Sequence, residues 1–158
     1  MSQNTWSTAR PVSPSGAFGN AGGFDASFHE IFLTFLTGGT LHLISEEDRL
    51  DPARLLHILA SQRIERLFLP FVALQNLAEI ANENTPPLAL CEVQTSGEQL
   101  RITPQLKAFF ERIPEAILDN EYGPAETHVV SYHRLPKDRS AWPVLPPIGV
   151  PIANSQLY

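Results

Sequence analysis

Asn120-Glu121-Tyr122-Gly123-Pro124-Ala125-Glu126 stands between a short apolar run, Ala116-Ile117-Leu118, and an alternating one, Val129-Val130-Ser131-Tyr132-His133-Arg134-Leu135. The Gly-Pro pair breaks both patterns, so the chain turns there with polar side chains and an aromatic ring on the turn. Upstream, strand-like and helical periods alternate. Residues 64–69 and 91–95 read as strands, residues 72–81 as a helix, and Thr103-Pro104 starts a helix through Phe109 and Phe110. Leu41, Leu43 and Ile44 make a short strand, and Asp51-Pro52 opens a helix with Leu55, Leu56, Ile58 and Leu59 on one face. Phe24, Phe28, Ile31, Phe32, Phe35 and Leu36 recur at helical spacing, with Ser27 and Glu30 spaced as a capping box and Gly38-Gly39 as the stop. Such alternation predicts an α/β fold, a mainly parallel sheet of four to five strands flanked by helices. The short turn at residues 123–128 makes residues 129–135 an antiparallel edge strand.

Residues 1–23 are rich in Ser, Gly and Pro without a hydrophobic period. They are expected to be an irregular segment or linker, with residues 24–158 as the folded unit. Gly16, Gly19, Gly22 and Gly23 lack the following Lys and the clear preceding strand that a phosphate loop needs.

Composition narrows the function. The chain has 158 residues, 43% of them hydrophobic, enough for one domain with its own core. A net charge of −6, with Lys107 and Lys137 as the only lysines, gives no electrostatic reason to bind nucleic acid. No apolar run is long enough to span a bilayer, and no secretory signal is present in residues 1–23. The single Cys91 cannot form an internal disulfide, and a reducing cytoplasm is the expected compartment.

In a parallel α/β sheet, ligands gather outside the carboxyl ends of the strands. Three such ends are predicted, at Pro70-Phe71-Val72, at Thr95-Ser96-Gly97-Glu98 and at residues 120–126. As neighbours they would form one crevice, with Asp25 reaching it from the start of the first helix. Two acids, a tyrosine face, small hydroxyls and a glycine suit a flat ring together with a polar or cationic group. Each residue also has a plain reading: Asp25 as a helix cap, His29 as an ordinary helix residue, Glu121 in solvent, Gln94 bonded within the sheet. His128 and His133 fall on opposite faces of a strand and make no metal pair.

Asn-x-Tyr-Gly-Pro-x-Glu at residues 120–126 resembles the nucleotide motif of the adenylate-forming enzymes, in particular the amino-acid adenylation domains of nonribosomal peptide synthetases. Three further stretches agree in order. Phe24-Asp25-Ala26-Ser27, with Glu30, Phe32 and Gly38-Gly39-Thr40-Leu41, is similar to the substrate-amine motif. Thr95-Ser96-Gly97-Glu98 is similar to the small-Gly-Glu turn, and residues 147–154 to the run entering the next strand. The resemblance implies a flavodoxin-like subdomain, ATP and Mg²⁺ as cofactors, and an amino acid and a carrier-protein domain as partners. It implies that Gly97, Glu98, Asn120, Glu121, Tyr122, Gly123, Pro124 and Ala125 hold the nucleotide, with Tyr122 stacked on adenine, and that Glu126 binds Mg²⁺. Asp25 would pair with the substrate ammonium, and Ala26, His29, Val72, Gln94, Ser96, Glu121, Val129 and Val130 would line the side-chain pocket. Ala125 stands where Thr is common, which removes one hydroxyl from the phosphate contacts. No catalytic residue is assigned within the chain.

The family's phosphate loop is not found in residues 1–23, and its ribose-holding Asp and catalytic Lys would lie beyond Tyr158. A central fragment, inactive alone and prone to self-associate, is therefore expected. Its parent would activate a polar or basic amino acid. An aryl- or acyl-acid ligase fragment is the second reading, disfavoured by Asp25, and a non-catalytic binding module or degenerate remnant is the third.

Overall fold

The computed structural model describes residues 15–18, 25–124 and 126–157, with residues 15–18 and 25–29 as backbone path. Their strands form a single sheet in the order β2-β1-β3-β4-β5-β6-β7. In chain order the elements are β1 (Ser15–Phe18), α1 (Asp25–Leu36), β2 (Thr40–Leu43), α2 (Glu46–Leu50), α3 (Pro52–Ser61) and β3 (Arg66–Phe68). There follow α4 (Phe71–Ile80), β4 (Glu92–Thr95), α5 (Pro104–Arg112), β5 (Ile117–Tyr122), β6 (Ser131–Arg134) and β7 (Val150–Pro151). β1 to β5 run parallel, and β6 and β7 are antiparallel to their neighbours.

Local chemistry starts and stops these elements. Asp51 accepts from the amides of Ala53 and Arg54 at 2.9 and 3.2 Å, and Pro52 follows at the first helical position of α3. Thr103 does the same for α5, accepting from the Leu106 amide at 3.1 Å ahead of Pro104. Gly38, at φ +72°, ends α1 in the left-handed conformation.

The order 2-1-3-4-5 is that of a doubly wound sheet whose direction of growth reverses beside β1. Right-handed crossovers then put α1 on one face and α3, α4 and α5 on the other. The core lies on the three-helix face: Leu67, Val93 and Leu118 of the sheet pack with Leu55, Leu59, Leu74, Leu77, Leu106, Phe109 and Phe110. Trp142, set among prolines in a loop, belongs to this core. It is 8% exposed, meets Phe110 edge-on with ring centroids 5.2 Å apart, and donates its indole N–H to the Pro136 carbonyl at 2.7 Å.

Four expectations are corrected. The lead-in is not irregular throughout, because residues 15–18 form β1 between β2 and β3. Ser-Gly-Ala-Phe has no alternation to read, and the ladders on both sides hold it in place. The sheet has seven strands rather than four or five, β7 being too short to carry a pattern. For the same reason β6 is antiparallel but not the edge. β7 covers it, and the edge tolerates Pro151, which has no N–H to donate. Finally, α1 begins at Asp25, so Ser27 lies inside the helix rather than at its cap. Glu30 is 7% exposed and neither of its carboxyl oxygens has a partner, so it makes no capping box.

Leu118 is fully buried at the centre of β5, whereas Cys91, just before β4, is exposed. Leu118→Ala is expected to cost about 2–5 kcal/mol by opening a cavity, and Cys91→Ala less than about 0.5 kcal/mol. Urea denaturation of the two variants beside the wild type checks both values.

Candidate functional site at the carboxyl edge of the sheet

The predicted site residues come from separate elements that all end at one edge. β4 ends at Thr95 with Ser96 and Gly97 following, β5 ends at Glu121 and Tyr122, α4 begins beside Val72, and α1 begins at Asp25 after β1. Strand alternation then sorts them by face. The registers Gln94↔Asp119 and Glu121↔Tyr132 put Gln94, Asp119, Glu121 and Tyr132 on the α1 face. Thr95↔Asn120 and Tyr122↔Ser131 put Thr95, Asn120 and Tyr122 on the face shared with the core.

A cleft of about 330 Å³ opens at this edge. It brings together Gly97, Glu98, Asn120, Glu121, Tyr122 and Gly123, six of the residues expected to hold a nucleotide. Gly97 turns at φ +86°, which lets the backbone after β4 reverse without a side chain in the way. Tyr122 is 47% exposed, so its ring is available to a flat ligand. Gly123 is required by packing: a Cβ there would fall 1.7 Å from the carbonyl oxygen of His128. His128 itself lies in the turn before β6, at φ 62°, and not in a strand.

Asn120 is buried, and its Nδ2 donates to the Pro147 carbonyl at 2.9 Å. Because that carbonyl only accepts, the amide nitrogen must face it and Oδ1 must point away. This bond ties the loop carrying Pro146 and Ile148 against β5. Both residues line the cleft, as do Gln99 and Leu100, and none of these four was predicted. A partial signal existed, since residues 147–154 were already matched as a motif.

The other expected residues are placed as follows. Pro124 and Glu126 are exposed on the turn after β5, and Ala125 lies outside the described residues. Gln94 is 5% exposed, Ser96, Val129 and Val130 are half-buried, and Val72 is 51% exposed on the first turn of α4. The side chains of Asp25, Ala26 and His29 lie outside the described residues, but the backbone path of α1 starts at the same edge.

Charge on the α1 face is largely closed on itself. Arg134 donates Nε and Nη2 to Asp119 at 2.9 and 2.7 Å, and Nη2 to Glu92 at 3.3 Å. Arg66 donates Nε to Glu92 at 2.7 Å. This forked pairing, with its hydrogen bonds donated to Asp119, raises the Arg134 pKa. Glu121 is 7% exposed and its Oε2 has no partner. Burial first, then the negative charges of Asp119 and Glu92, push its carboxyl up to about 7. Burial alone pushes Glu30 to about 8. Among the described residues no group of three or more His, Cys, Asp or Glu could hold a metal ion, and no helix is long and apolar enough to cross a membrane.

Comparisons with known proteins bear on the family and the fold. A family model described as AMP-binding enzyme matches residues 22–158. The chain is 36% identical over 138 residues to gramicidin S synthase 2 of Brevibacillus brevis, covering 85% of this chain and 3% of that protein. It is 38% identical over 139 residues to tyrocidine synthase 2 of Brevibacillus parabrevis, covering 85% of this chain and 4% of that one. Among solved structures, holo-PA1221, an NRPS protein containing adenylation and PCP domains bound to a vinylsulfonamide inhibitor, matches with a TM-score of 0.72 at 24% identity. That match covers 89% of this chain and 24% of the other. CmiS6 matches with a TM-score of 0.67 at 20% identity, over 78% of this chain and 30% of that chain. These two structural likenesses concern the fold.

The two raised carboxyls give a pH dependence with a definite sign. The folded chain keeps protons on Glu121 and Glu30 that the unfolded chain releases above the ordinary value of 4.5. Their contribution is complete below 4.5 and is lost as pH rises through about 7 for Glu121 and about 8 for Glu30. Glu121 alone accounts for up to about 3 kcal/mol of that loss. Urea midpoints from pH 5 to 8 are expected to fall, and Glu121→Gln to fall less steeply between pH 5 and 7.

Proposed function

The chain belongs to the AMP-binding enzyme family, as an adenylation-domain segment of the nonribosomal peptide synthetase type, and we propose that it supplies the nucleotide slot and amino-acid pocket for making an aminoacyl-adenylate. The reaction joins the amino acid carboxylate to the α-phosphate of ATP, expels pyrophosphate, and then passes the acyl group to a carrier-protein thiol. One observation carries this reading: the Gly97 turn and the ring of Tyr122, far apart in sequence, line one cleft at the carboxyl edge of a parallel sheet.

In this reading adenine lies against Tyr122, with the backbone at Gly97 close by and Ile148 and Leu100 closing the apolar side. Asn120, held by the Pro147 carbonyl, offers its free Oδ1 to an amino group on the base. Across β5, on the α1 face, Gln94, Ser96 and Glu121 meet the amino acid side chain, and Asp25 takes the α-ammonium. Alternation along a single strand thus keeps the two substrates on opposite sides while their reacting ends meet at the edge. Such placement is the main thing a protein contributes to phosphoryl chemistry.

Mg²⁺ fits as an ion brought by the nucleotide. Glu126 is one exposed carboxylate on the turn, and Mg²⁺ commonly binds through one or two carboxylates plus substrate phosphates. When bound it would neutralise phosphate charge. Neither lysine serves the cleft. Lys107 is on α5, and Lys137 precedes a turn that Arg139 ties to the carbonyls of Pro114 and Ala116, at the far end of β5.

Titration with AMP tests the slot. Tyr122→Ala is expected to weaken binding by about five- to a hundredfold through lost stacking, and an unchanged affinity would remove Tyr122 from the site. With no lysine near the cleft, this chain alone is expected to give no ATP–pyrophosphate exchange with any amino acid. Robust exchange would overturn that expectation.

A further inference from the structure

The row of charges across β3 to β6 on the α1 face leaves one acid over. Arg134 is occupied by Asp119 and Glu92, and Arg66 by Glu92. Glu121 is paired in register with Tyr132, not with an arginine, and no salt bridge reaches it. Arg66 has a buried Nη1 without a partner, but it lies two strands away on β3. Glu121 ends β5 beside the cleft, but its carboxyl points across to the α1 face, where it is more than nine-tenths buried and its Oε2 has no partner, so a ligand donor on that face would satisfy it. Resting on the function proposed above, we infer that the amino acid taken by this site carries a cationic side chain, an ammonium or guanidinium, received by Glu121.

The chemistry around Glu121 favours a charge over a neutral amide. Glu92, Asp119 and Glu121 face Arg66 and Arg134, so the cluster with all groups ionised has one negative charge in excess, which one ligand cation balances. Gln94 and Ser96, on the same face, add neutral hydrogen-bonding groups, and the half-buried Val129 and Val130 offer carbon surface for an alkyl stem. An aliphatic or aromatic side chain would instead bury the carboxyl against carbon. Titration gives this pairing a signature. At pH 6 the Glu121 carboxyl is largely protonated and at pH 8 largely ionised, so a cation binds better as pH rises. Among the described residues, the charged and titratable groups on the same face are Asp119 on its own strand, Glu92 on β4, Tyr132 and Arg134 on β6, and Arg66 on β3. Glu30 is the buried acid on α1.

The test is calorimetric titration of the chain, with AMP present, by L-ornithine, L-lysine, L-glutamine and L-leucine at pH 6 and pH 8. Carbon NMR of labelled glutamate carboxyls follows Glu121 directly. Ornithine or lysine is expected to bind more tightly than glutamine and leucine, with an affinity gain of about tenfold from pH 6 to pH 8. The Glu121 carboxyl is expected to titrate at lower pH once the cation is bound. Glu121→Gln is expected to lose about ten- to a hundredfold for the cationic amino acid and to abolish the pH gain. Equal or tighter binding of glutamine or leucine overturns the inference, as does a cation affinity indifferent to pH, or no amino acid binding in a chain that binds AMP. Failure of AMP itself to bind overturns the function proposed above instead, and the same amino acid titrations without nucleotide then decide the inference. The wild-type pH series and the NMR readout hold even if the variant does not fold.

Discussion

Strand β5 alternates its side chains between two different environments, and the organisation of the edge follows from that constraint. Leu118 and Asn120 point to the face packed by α3, α4 and α5, whereas Asp119 and Glu121 point to the face of α1. A strand cannot move one of these without moving all of them, because a slip of one residue reverses every side chain. The core side chain Leu118 therefore fixes where Asn120 and Tyr122 stand, and by exclusion where Glu121 stands. Hydrophobic packing at the middle of the strand sets the chemistry at its end.

The polar face keeps its charges by pairing them across strands. Asp119 is almost fully buried, and Arg134 grips it with two nitrogens and also reaches Glu92. Burial first, and then repulsion from Asp119 and Glu92, raises the cost of ionising Glu121, and among the described residues no salt bridge reaches it. Breaking one partner of such a row strands the other in a poorly solvated place, which is more destabilising than the pair is stabilising. The row thus supports the sheet and, at its open end, leaves one carboxyl under strain.

Close backbone approaches hold the turn that carries the motif. Gly123 lies against the His128 carbonyl, and Gly149 against the Tyr132 carbonyl at a distance where a Cβ would sit 1.9 Å from oxygen. The two glycines bring the β5–β6 turn and the 144–149 loop onto β6, and the Asn120–Pro147 hydrogen bond then fastens that loop over the cleft. Two backbone approaches and one side-chain hydrogen bond shape one wall of the site.

By itself the sequence determined the α/β class, the order of helices and strands from residue 27 onward apart from the short α2 and β7, and the motif residues that meet at the edge. Those features are local: periodicity of apolar residues, Asp-Pro and Thr-Pro helix starts, and a Gly-Pro break each act within a few residues. Only the tertiary structure decided what depends on neighbours distant in sequence. β1 is a strand because β2 and β3 flank it, not because Ser-Gly-Ala-Phe has strand character. Pro146 and Ile148 reach the cleft because an amide on β5 holds their loop. Glu30 could be read as a cap until the helix was seen to start at Asp25 and to hold it buried. That Glu121 is buried and unpartnered, while Asp119 two residues earlier is clamped, depends on which strand carries Arg134, and register across strands is a property of the folded sheet.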